Sequence, residues 1–171
     1  GSGDYFDVAD HVLMMDQYLP FDVTSAAKEI AESLKLTRKI EGGQFFGNIP
    51  ARTLLKAGLS PYKGKKEKVD GRGLHTILFG EQAINMAQVE QLVHPSQTRA
   101  IAVILRYIAN NTINEKTSLN EMLDQLYRQI ESNGLDFFSP FKGHPGDMAI
   151  PRKFEVAAAI NRLRTVRVKM S

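Results

Sequence analysis

The chain has 171 residues, 43% of them apolar and 24% charged, which suffices for a folded core and argues against disorder. It has no cysteine, which excludes disulfides, thiolate metal sites and cysteine nucleophiles and fits a reducing, cytoplasmic setting. Net charge is only +3, but residues 35–73 hold ten Lys/Arg against three Asp/Glu, residues 151–171 hold six against one, and the remainder is acidic. Such segregation points either to an anionic partner or to two solvated basic faces.

In chain order, Gly1-Ser2-Gly3 reads as a cloning scar or a native loop. The stretch from Asp4 to Asp10 predicts a short helix, and the apolar run Val12–Met15 predicts a strand buried on both faces and ended by Pro20. A strand needs a sheet, and few others follow, so residues 1–24 read as the end of a larger domain. Thr24 or Ser25 is expected to cap a helix reaching Leu36, with Ala27, Ile30, Ala31 and Leu34 at helical spacing.

Residues 37–73 lose this periodicity and are rich in glycine, which predicts extended and looped backbone carrying the basic cluster. Thr76–Phe79 and Ala83–Asn85 flank a turn at Gly80-Glu81 and read as paired strands. A helix over 95–110 opens on Pro95 and presents Ala100, Ile101, Ile104, Leu105 and Ile108. Ser118-Leu119-Asn120-Glu121 has the capping-box pattern, and Gly134 is placed to close the helix it opens. The last helix, 152–164, is expected to turn Phe154, Ala157, Ala158 and Leu163 to the core.

The fold class expected is α/β of an α+β-like kind: a sheet remnant, a small β-element around 37–85 and a helical C-terminal region. The division expected is 1–24 against 25–171. No apolar run nears the ~18 residues of a membrane span, and the acidic first residues are unlike a signal peptide, so no membrane partner is expected. His11, His75, His94 and His144 are scattered without metal-ligand spacing, so no metal site is expected. No nucleophile motif is present, and no catalytic residue is assigned.

Three stretches carry a resemblance. They are Gly1–Asp10 (GSGDYFDVAD) with Met14-Met15-Asp16; Gly73–Gly80 (GLHTILFG) with Val89–Val93 (VEQLV) and Pro95–Ala102 (PSQTRAIA); and Pro151–Arg164 (PRKFEVAAAINRLR). By their order and spacing the chain resembles the C-terminal portion of the predicted ATPases of the ABC class. The resemblance implies a full-length parent that binds ATP and magnesium, with the rest of that ATPase chain as partner and a homodimer as its assembly. It implies that this portion carries no cofactor of its own. No G-x-x-x-x-G-K-[ST] loop occurs in the 171 residues, so this portion is expected to be inactive alone. Gly3 stands where such ATPases have a switch histidine, a departure that leaves Asp4 or Tyr5 as the candidates for touching nucleotide.

The expected nucleic-acid contacts are Arg38, Lys39, Arg52, Lys56, Lys63, Lys65, Lys66, Lys68 and Arg72, with Arg162, Arg164 and Arg167 from the second basic stretch. Lysine and arginine neutralise phosphates, and Phe45, Phe46 and Tyr62 are interleaved where unpaired bases could stack. The partner expected is RNA or single-stranded DNA. The alternative is an architectural or dimerisation domain that touches no nucleic acid.

Overall fold

The computed structural model describes residues 5–34, 47–140 and 146–170. Among them small antiparallel sheets and four α-helices make an α+β fold with no closed barrel. The chain divides into two units, Gly1–Asn48 and Ile49–Ser171.

In the first unit, β1 (Leu13–Asp16) and β2 (Leu19–Asp22) form a hairpin with Leu13 opposite Asp22 and Asp16 opposite Leu19. Gln17 and Tyr18 form its two-residue turn at φ 45° and 67°, the left-handed geometry that matches strand twist. The expected buried strand is corrected here. Leu13, Met14 and Met15 are 66%, 48% and 64% exposed, because the strand's partner is β2 alone among the described residues of the unit, and a two-stranded hairpin leaves its faces open. Pro20 does not end the strand; it lies within β2 opposite Met15, and a two-stranded ribbon leaves its missing N–H without consequence.

Helix α1 (Thr24–Ser33) buries only Ala27 and Ala31, and Ile30 and Leu34 stay exposed. Neither expected residue caps it: Val23 is the N-cap, with no side-chain bond. The Thr24 hydroxyl instead accepts the Val12 N–H at 2.9 Å and donates to Asp22 at 2.6 Å, tying hairpin to helix. Those Thr24 bonds hold the Asp22 carboxyl below its usual range.

The second unit is built on a meander of β6 (Val69–Arg72), β7 (Thr76–Phe79) and β8 (Gln82–Asn85). Helix α2 (Pro95–Tyr107) packs on β6 and β7. Gly71 permits that approach, since a Cβ there would lie 2.7 Å from the Arg99 Cα. Past Tyr107 the helix widens into a π turn over Ile108–Thr112. Helix α3 (Leu119–Asn133) begins on the expected capping box: the Ser118 N–H donates to Glu121 at 3.0 Å, and the Glu121 N–H donates to the Ser118 hydroxyl at 3.3 Å. It ends on Gly134, at φ 72°.

Helix α4 (Lys153–Arg162) is entered through a box the sequence reading did not anticipate, in which the Arg152 N–H donates to Glu155 at 2.8 Å. Its expected face is also corrected. Val156, Ala159 and Ile160 are buried with Leu163 beyond them, whereas Phe154 is 75% exposed and Ala157 and Ala158 are half-buried. The spacing 156, 159, 160, 163 is the true core stripe, and Phe154 lies off it. Ile77, Phe79, Ile84, Ile101, Ile104 and Leu126 belong to the resulting core.

Two short ribbons complete the unit. β4 (Tyr62–Lys63) pairs with β5 (Lys66–Glu67), and β3 (Arg52–Leu54) pairs with β9 (Val168–Met170). The sequence reading placed residues 52–54 in a β-element ending near residue 85; their partner is instead the far end of the chain.

Candidate nucleic-acid interface

Two basic clusters arise from these ribbons. In the first, antiparallel pairing sets Thr53 opposite Lys169, and the Leu55 N–H continues the ladder to the Arg167 carbonyl at 2.9 Å. A 3₁₀ turn over Lys56–Gly58 follows, lying against residues 165–167. Only glycine fits there, since a Cβ on Gly58 would meet the Arg167 nitrogen at 2.4 Å. Arg52 reaches the last turn of α4, where its Nη1 donates to the Asn161 side chain at 3.2 Å. This joins the two basic stretches through one ribbon: Arg52 lies on the face shared with Met170 and reaches α4 near Arg162, Lys169 and Arg167 alternate to the other face, Lys56 follows β3, and Arg164 is on the loop between α4 and β9.

None of these six cations has an ion-pair partner among the described residues. Cations elsewhere are treated differently. Arg106 pairs with Glu67, Lys153 pairs with Asp124 at 2.6 Å, and Arg99 donates to the Asp147 carbonyl at 2.8 Å.

The second cluster is the β4–β5 hairpin. Lys63 faces Lys66 across it, Gly64 at φ 61° turns it with Lys65, and Lys68 follows. Lys63 has one loose, exposed partner, Glu81 at 3.8 Å. Like charges directly opposite repel, so an anionic ligand across Lys63 and Lys66 would relieve that cost. Tyr62 is 45% exposed at the base of the hairpin. Arg72 stands at the far end of β6 and pairs with Asp70 at 3.0 Å, so it belongs to neither cluster.

Arg38, Lys39, Phe45, Phe46 and Asp4 lie outside the described residues. Tyr5 is exposed, and its carbonyl accepts the Val8 and Ala9 N–H groups in a single turn. Sequence reasoning left Lys169 out of the contact set; the structure sets it opposite Thr53, next to the first basic stretch. Phe154 was assigned to the core, although the apolar spacing of its helix could have placed it outside.

A further cleft of about 490 Å³ is lined by β6, α2, Ser139, Pro140, Asp147 and Met148. Its arginines, Arg99 and Arg106, are already bonded to Asp147 and Glu67, which makes it a tie between elements. Among the described residues no group of His, Asp and Glu could hold a metal ion, and no helix is long and apolar enough to cross a membrane.

Comparison with known families gives two matches. Residues 68–169 match the family described as the MRB1590 C-terminal domain, and residues 1–52 match the P-loop domain of ABC ATPases. A search of curated proteins finds no match.

Proposed function

Because the chain belongs to the MRB1590 C-terminal domain family and is the C-terminal portion of an ABC-class ATPase, we propose that it is the accessory domain of that ATPase and binds RNA or single-stranded DNA. One observation carries the reading: the β3–β9 ribbon unites two basic stretches, and its cations lack acidic partners among the described residues. Lysine and arginine left unpaired at one place suit a phosphate backbone, since each contact releases condensed cation. The β4–β5 hairpin adds a second cationic patch with Tyr62 beside it for stacking.

The test is equilibrium binding of unstructured RNA and DNA across a salt series. The slope of log affinity against log salt is about −0.7 per phosphate contact on single strands. Replacing Lys63, Lys65, Lys66 and Lys68 together by Ala should make the slope shallower by up to ~3 units, and replacing Arg52, Lys56, Arg167 and Lys169 together should do the same. Tyr62→Ala should weaken binding by roughly 1–3 kcal/mol at nearly constant slope. Lys28, Lys116 and Arg128, cations outside both clusters, serve as the control and should matter much less. If both quadruple variants match wild type in affinity and slope, the domain is architectural.

The architectural reading has its own support in the β1–β2 hairpin, whose apolar side chains are exposed in the segment that matches the ATPase domain. The partner that chemistry fits is the remainder of the ATPase chain. ATP and magnesium would be bound by the parent, whose phosphate loop does not occur in these 171 residues. Phosphate release by this chain alone, abolished by a substitution within it, would overturn that assignment.

A further inference from the structure

Resting on the nucleic-acid reading, we propose that Phe154 is a base-stacking platform at the head of a cationic track along α4, and that its ligand is an unpaired base of a single-stranded nucleic acid. Phe154, Ala158 and Arg162 follow one another at intervals of four residues and so line one stripe of the helix. The stripe rises ~12 Å along the helix axis from residue 154 to residue 162, and the Arg162 Nη1 donates back to the Ala158 carbonyl at 3.2 Å, which lays its guanidinium along the stripe. It forms one wall of a depression of about 280 Å³, and Gln88 and Gln91 stand on the opposing side.

The side chains suit a nucleotide. The ring is 75% exposed, and Ala158 keeps the floor beyond it low. Gln88 and Gln91 are exposed, and their amides make no hydrogen bond among the described residues, which leaves donors and acceptors for base edges. Arg152, 63% exposed, lines the same depression, and its Nε donates to Glu155 at 2.9 Å, an ion pair that holds its stem in place. At the other end, Arg162 adjoins Asn161, the residue to which Arg52 is bonded, so the track continues into the unpaired cations of the β3–β9 ribbon.

Three other aromatics of this unit are committed to one another. Tyr107, Phe137 and Phe138 pack on one another, with Tyr107 and Phe138 edge to face at 4.6 Å. Phe154 has only Lys153, 5.6 Å from its centroid, and that lysine is anchored on Asp124. Charge complementarity selects the occupant: an exposed ring with Arg162, which has no ion-pair partner among the described residues, two turns along the same stripe fits a base with its phosphate, and arginine also strengthens aromatic stacking.

The chain has no tryptophan, so Phe154→Trp places a single indole at the site, excited selectively over the five tyrosines. The probe is a mixed-sequence oligonucleotide of about 12 nucleotides, as RNA and as DNA. Stacking should quench the indole on titration, while inorganic polyphosphate, which offers charge without bases, should bind without quenching. In fluorescence anisotropy with the same oligonucleotide, Phe154→Ala should weaken binding roughly 5- to 150-fold at unchanged salt slope, and Phe154→Trp should keep it. Arg162→Ala should make the slope shallower by about 0.7. Equal quenching by polyphosphate, or an emission shift that follows protein concentration alone, overturns the proposal; the latter would mean that a second copy covers the ring. Wild-type affinity in Phe154→Ala overturns it while sparing the wider reading. Failure of wild type to bind either oligonucleotide overturns both.

Discussion

The two units spend their apolar residues in opposite ways. In the second, Ile77, Ile101, Ile104, Leu105 and Ile108 are wholly buried, and a meander and three helices share one core. In the first, Leu13, Met14, Met15, Leu19 and Phe21 lie on a two-stranded hairpin and remain exposed, and α1 buries two alanines. A lone hairpin is marginal in water. Apolar content therefore does not report self-sufficiency; what matters is whether the covering layer is present. The hairpin resembles a component whose cover is supplied from outside the unit, and the second unit resembles a body that closes on itself.

Hydrogen exchange offers the widest separation between them. Amides of Leu13–Asp16 should exchange through local opening at nearly no cost, while those of β7 and mid-α2 should need global unfolding, about 5–15 kcal/mol for a domain. Slow exchange of the hairpin in dilute monomer would erase the contrast. Truncation mutants sharpen it. Ile104→Ala should cost about 2–5 kcal/mol, because it empties a site with no exposed surface. Urea midpoints at unchanged slope are the measure.

A cap should fall between core and surface. Ser118→Ala removes the acceptor for the Glu121 N–H and should cost about 1 kcal/mol. Its pH signature is specific. The bonds from Ser118 hold the Glu121 carboxyl below its usual range. Stability from that source is present above the unfolded glutamate pKa of about 4.3 and is lost as pH falls through the lower folded value. Ser118→Ala should therefore flatten the acid limb of the stability curve, and an unchanged limb would mean the bond is not made in solution. Smallest of all, Met15→Ala should change stability by less than about 0.5 kcal/mol, since its side chain touches mainly solvent in this chain. A large loss would show that the hairpin is covered.

Legibility in the sequence followed the range of the interactions. Local chemistry could be read: the Ser118 box, the Gly134 stop, Pro95 at a helix start and the turn at Gly80 are all decided within a few residues. The Val12–Met15 run could be read as a strand but not as an exposed one, because burial is decided by partners that a run does not name. Pro20 was taken as a stop because the ribbon that tolerates it is a tertiary fact. The β3–β9 pairing left no local mark, since three-residue strands carry too little pattern. Charge alone assigns Arg52 and Arg167 to a common ligand, while the pairing of residues 52–55 with residues 167–170 that joins their two stretches had to come from the fold. Phe154 shows a weaker kind of illegibility. Its helix carried the correct stripe in Val156, Ala159, Ile160 and Leu163, and the aromatic's size drew it to the wrong side of that stripe.

The β3–β9 ribbon also sets an order of events in time. Its strands are separated by nearly the whole second unit, so the pairing must close a very long loop, and such contacts form late. During synthesis, Arg52 and Lys56 emerge well before Arg167 and Lys169 exist. Until Val168–Met170 have been made, Arg52 on β3 and Lys56 after it have no ribbon to hold them. A nascent chain thus carries half of a charged surface and completes it only after the core that supports it has been translated.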